Sequence, residues 1–124
     1  MFKVNEDLSI HVTRGDSAVL GVAADENGTN YTFKEGDVVR LKVFEKKNCD
    51  EVVLQKDTGA NAGAKEVEIT LSGEDTKLGK VISKPVDYWY EIELNPDTNP
   101  KTLIGYDEDG AKVFRVYPEG GDVE

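Results

Sequence analysis

The 124-residue chain carries 15 Lys and Arg against 25 Asp and Glu, a formal net charge of −10, with 38% hydrophobic residues. That length suits one domain burying roughly 65% of its unfolded surface, and apolar residues spread from Leu8 to Tyr117 argue against an acidic disordered chain. The negative balance repels a phosphate backbone and so argues against nucleic acid.

In chain order, Leu8-Ser9-Ile10-His11-Val12 alternates, with Leu8, Ile10 and Val12 on one face, which predicts a half-buried strand. Arg14-Gly15-Asp16 reverses the chain, and Ala18, Leu20 and Val22 resume the alternation over Ser17 to Ala23, as a hairpin or a corner between sheets. Asp25-Glu26-Asn27-Gly28 is a turn cluster. From Val38 to Glu45 the period of two is strongest, with Val39, Leu41 and Val43 inward and Arg40 and Lys42 outward; Glu51 to Lys56 is expected to return antiparallel to it.

After the small-residue loop from Thr58 to Ala64, Val67, Ile69 and Leu71 define another strand. Ser72 to Leu78 has the N-cap chemistry and early acids of a single helical turn, read as a crossover between sheets. Tyr88, Tyr90, Ile92 and Leu94 share one face of a central strand that stops at Asn95-Pro96. Lys101 to Tyr106 and Lys112 to Tyr117 are the last strands, joined by the tight turn Asp107-Glu108-Asp109-Gly110. The expected fold is all-β: one immunoglobulin-like antiparallel sandwich of about seven to eight strands over residues 1–124, with one helical turn and flexible ends at about 1–6 and 119–124.

The chemistry-bearing residues are few. Cys49 is the only cysteine and His11 the only histidine, which excludes an internal disulfide and a Cys/His zinc set and suits a reducing cytoplasm. His11 has no surrounding nucleophile motif, Cys49 sits in a lysine-bearing turn and receives no role, and no catalytic, cofactor or metal residue is assigned. Arg14-Gly15-Asp16 spells an adhesion tripeptide but is what a tight turn needs, and the sequons at Asn27 and Asn30 lack a signal peptide to give them meaning. Asp107 to Gly110 departs from a calcium-loop pattern, and Asp87, Glu91 and Glu93 read as solvated strand-face carboxylates rather than a glycosidase pair. Trp89 points away from Tyr88 and Tyr90, beside Glu91 and Glu93; these three are the assigned partner contact. The reading preferred for Trp89 itself buries it in a second small core under the Thr29 to Gly36 loop or the helical turn, with the partner contact as its functional alternative. The start of the chain lacks the apolar run of a signal peptide and no stretch reaches ~18 apolar residues, so no membrane is expected as partner.

Three segments carry a resemblance: "TRGDS" at Thr13 to Ser17, "TLSGEDTKL" at Thr70 to Leu78, and "YWYEIEL" at Tyr88 to Leu94. Together with the order of elements from Leu8 to Gly120, the chain resembles the immunoglobulin-like domain at the N-terminus of siphophage upper-baseplate proteins and in small prophage proteins of Gram-positive bacteria. The resemblance implies a non-enzymatic virion structural protein, a tail or baseplate adaptor with other tail proteins or further copies as partners, made in the bacterial cytoplasm and then held in the virion. It implies no cofactor, and receptor binding belongs to C-terminal parts that longer members carry. The alternative expectation is a carbohydrate-binding module stacking sugars on Trp89, Tyr88 and Tyr90.

Overall fold

A computed structural model describes residues 1–26, 28–48 and 50–120. Strands β1 (Phe2–Val4), β2 (Ile10–Thr13), β3 (Ala18–Val22), β4 (Asp25–Glu26), β5 (Thr29–Asn30), β6 (Val38–Phe44), β7 (Val52–Gly59) and β8 (Val67–Leu71) precede a helical turn, α1 (Gly73–Thr76). Strands β9 (Val86–Leu94), β10 (Lys101–Ile104) and β11 (Lys112–Tyr117) follow it. The large sheet has the order β1-β2-β11-β9-β6-β7, with β10 also on β9, and β3 and β8 form the facing layer. First and last main strands side by side, then β9, β6 and β7, opposite a β3-β8 pair, make an immunoglobulin-like sandwich.

Alternation determines which side chains meet between the layers. From the large sheet come Ile10, Val12, Val39, Leu41, Val43, Tyr88, Tyr90, Ile92, Leu94, Phe114 and Val116, and from the small one Ala18, Leu20, Val22, Val67, Ile69 and Leu71. Two strands cannot cover the larger sheet alone, and Phe33 and Leu78, from the flanking connections, complete the core.

The corner between β2 and β3 is the sheet switch. Asp16 N–H donates to the Thr13 carbonyl at 3.0 Å, and Gly15, at φ +89°, takes the left-handed position of the turn. Arg14 is 8% exposed, so the adhesion tripeptide is a folded corner and not a displayed loop. The Thr76 hydroxyl accepts from Gly15 N–H at 2.9 Å and donates to the Asp16 carbonyl at 2.8 Å, locking α1 onto the corner. α1 carries the expected cap: Ser72 accepts from Asp75 N–H while the Asp75 carboxylate accepts from Ser72 N–H.

Four details depart from the expectations. Leu8 lies outside the first strand, at φ +69°, because Asn5 to Ser9 is the turn joining β1 to β2, and its carbonyl accepts from the buried Tyr90 hydroxyl. Residues 2–4, read as a loose end, pair with β2. The β2–β11 pair is parallel, so the sandwich is not wholly antiparallel; a period of two reports which face is buried and not the direction of the neighbour.

The last two strands do not form a hairpin. β10 pairs with Leu94 to Ile92 and β11 with Tyr90 to Val86, both along one edge of β9. They are one strand path interrupted by an excursion from Gly105 to Ala111, whose tip is closed by an Asp107–Gly110 bridge. An acidic turn ending in Gly suits such an excursion as well as a hairpin; the nine-residue edge of β9 decides between them by capturing both segments. Cys49, the sequon at Asn27 and the exit beyond Gly120 lie outside the described residues.

Candidate functional site

The outer face of the large sheet is built by the residues that alternate with the core. Trp89 stands opposite Phe44 on β6 and Val113 on β11, so an apolar strip crosses three strands at one level. Phe44 is 4% exposed yet lies on this outer side, while Trp89 and Val113 are half-buried. Trp89 therefore points away from Tyr88 and Tyr90, as the alternation predicts.

The covers expected for Trp89 belong elsewhere. Phe33 of the 29–36 loop joins the main core, with Tyr31 edge-on to it at 5.2 Å, and α1 is bound to the Gly15 corner. The second small core is instead the strip itself, and Trp89 keeps a partly open surface.

One row along, Lys42 lies opposite Glu91, and Arg40 opposite Glu93. Lys42 Nζ is 3.1 Å from Glu93 Oε1, although that oxygen has no aligned hydrogen bond among the described residues. Burial pushes the Glu91 carboxyl above its ordinary range and the neighbouring Glu93 charge adds to it, with Lys42 opposing. Glu91 is therefore not the freely solvated carboxylate expected from sequence. Arg40 clamps Asp57 at 2.8 and 2.9 Å and also reaches Asp97, which holds Asp57 below the usual carboxylate range.

On the other side of the strip runs a polar chain. Arg115 holds Asp87 through two hydrogen bonds at 2.6 and 3.2 Å, and Tyr117 Oη lies 2.8 Å from His11 Nδ1. His11 Nε2 lies 3.0 Å from Ser9 Oγ, which in turn donates to Asp7 Oδ1 at 2.6 Å. The serine beside His11 was missed in the sequence, although residues two apart on one strand share a face. The geometry is that of a positioned network: Asp7 takes the Ser9 proton that a nucleophile would give to imidazole, and the far nitrogen of His11 faces a tyrosine instead of a carboxylate. Hydrogen bonds from Ser9 draw the Asp7 carboxyl below its usual range.

Between chain and excursion opens a cleft of about 310 Å³, lined by Asp7, Ser9, Asp109, Ala111, Lys112 and Val113. Lys112 Nζ is tied to Asp107 at 2.7 Å, so the cleft's cation is already paired. Among the described residues no group of three His, Cys, Asp or Glu side chains is placed to hold a metal ion, and no helix is long and apolar enough to cross a membrane. The assigned contact residues Trp89, Glu91 and Glu93 thus come together on one strand face, joined by Phe44 and Val113, which sequence reading left out. Of the three aromatics offered for sugar stacking, Tyr88 and Tyr90 are buried between the layers. No protein-family model, no curated protein and no solved structure matches the chain.

Proposed function

We propose that the protein is a structural adaptor of a phage or prophage tail or baseplate, docking a neighbouring tail protein against the outer face of its large sheet. The observation that carries the docking reading is the strip Phe44–Trp89–Val113, a partly open tryptophan beside a buried phenylalanine with charged rows on both sides. An aromatic anchor inside a polar rim is the composition of a protein–protein contact centre. The phage assignment rests on the segments from Thr13 to Ser17, Thr70 to Leu78 and Tyr88 to Leu94.

The test is co-expression with tail and baseplate proteins of a Gram-positive siphophage, followed by co-purification on size exclusion. A stoichiometric complex that Trp89→Ala weakens tenfold or more supports the reading. A complex indifferent to that change, or none with any tail component, overturns it.

A further inference from the structure

The two ends of the large sheet are treated differently. At one end β1 spans three residues, and the N-terminal ammonium beside it is engaged by Asp16. At the other end β7 spans eight residues, contains no proline, and exposes Val52 at 50% and Val53 at 40%. Soluble proteins ordinarily shorten, charge, bulge or cover such an edge; β7 has a bulge near its start and one lysine, Lys56, and beyond the bulge Leu54 to Gly59 runs as a regular strand.

The hydrogen-bond pattern tells which backbone groups face outward. Asn95 N–H donates to the Val38 carbonyl and Ala60 N–H to that of Asp37, so even-numbered residues of β6 bond β9 and odd-numbered ones bond β7. Val39, Leu41 and Val43 pair with Thr58, Lys56 and Leu54. By antiparallel alternation, Gln55 and Asp57 turn their N–H and C=O groups to the open side, and the regular ladder ends at Leu54, where a bulge at Val53 shifts the register.

The edge is also matched to itself. Its two charges are already partnered within the chain, Lys56 with Asp75 at 3.1 Å and Asp57 with Arg40 at 2.8 Å. If two copies pair antiparallel about a twofold axis, an axis at Lys56 opposes two lysines, and one at Leu54 opposes Glu51 to Asp57. An axis at Val53 runs the strands past Glu51, whose φ of +56° is not extended. An axis at Gln55 sets Lys56 against Leu54 on both sides of the axis, with no like-charge pair, and brings Asp57 to the bulge at Val53.

We propose that β7 is a homotypic interface: two copies of this chain pair β7 to β7 antiparallel with Gln55 on the twofold axis, joining their large sheets into one. This goes beyond the adaptor reading and leaves the Trp89 face untouched. Because each copy carries −10, added salt screens their repulsion and strengthens the pair.

Light scattering behind size exclusion, from micromolar to hundred-micromolar protein at two salt concentrations, is the test. The expected mass rises toward twice 13.7 kDa with concentration, sooner at the higher salt. Gln55 is exposed, so Gln55→Lys and Gln55→Glu are expected to fold, which an unchanged urea midpoint checks. Each variant alone places like charges on the axis and weakens association at least tenfold, and mixing the two in equal amounts restores it. A monomer throughout, single variants as dimeric as the parent, or a mixture no better than its components each overturns the proposal.

Discussion

A β-carbon added to Gly73 would meet the carbonyl oxygen of Gly15 at 2.6 Å. The first residue of α1 and the corner between β2 and β3 are thus in backbone contact, which only glycine permits. Gly73→Ala is expected to cost about 1–3 kcal/mol by overpacking, whereas Gly59→Ala, with open space around its β position, stays within about 0.5 kcal/mol. Urea midpoints of the two variants measure the difference, and equal midpoints would show that the corner and α1 are not locked.

Phe44 and Trp89 face each other with unequal burial. Phe44→Ala is expected to lose about 3–4 kcal/mol and Trp89→Ala about 1–2 kcal/mol, since part of the indole already meets water. The reverse order in urea melts would mean that Trp89, and not Phe44, is the more deeply buried residue of the strip.

Asp37 is buried and accepts from Tyr31 Oη at 2.7 Å, Lys34 N–H at 2.9 Å and Asn95 Nδ2 at 3.0 Å. Burial alone would raise its carboxyl, but these donors outweigh it and hold the group below the ordinary range. A lowered folded value stabilises above the unfolded one, near 3.9, and that contribution is lost as pH falls through the folded value. Asp37→Ala should cost about 2–3 kcal/mol at neutral pH and should flatten the loss of stability on acidification below about pH 4. An acid profile parallel to the parent's would place the acid sensitivity in other carboxylates.

Glu91 works in the opposite sense. Its carboxyl is raised by burial and by Glu93, so the protonated form suits the fold, and the stabilisation present at low pH is lost as pH rises through the folded value. Glu91→Gln is expected to raise the urea midpoint at pH 7, with the gap closing toward pH 4. A variant no more stable than the parent at pH 7 would contradict the burial of this carboxylate.

Faces were legible in the sequence where distant partners were not. Ala18-Leu20-Val22, Val39-Leu41-Val43 and Val67-Ile69-Leu71 each declare a buried side through a period of two, and Ser72 with Asp75 declares the cap. The antiparallel return of β7 on β6 across a short turn was legible, but pairing between segments distant in the chain leaves no local mark, so the parallel β2–β11 contact and the common edge shared by β10 and β11 were invisible. The site followed the same rule. Trp89, Glu91 and Glu93 share one parity on one strand and were found, while Phe44 and Val113 join them only through the register of β6 and β11. Phe44 also follows the inward-facing Val43 directly, so its hydrophobicity reads as more of the same core.

The excursion between β10 and β11 makes chain length and strand register independent variables. Seven residues, Gly105 to Ala111, stand where β9 offers Glu91 alone, and the pairing resumes at Tyr90 as if nothing had intervened. A graft of foreign sequence between Glu108 and Asp109 would therefore displace no partner of β9, making this tip a natural place to hang a tag, a probe or a second binding function beside the outer face.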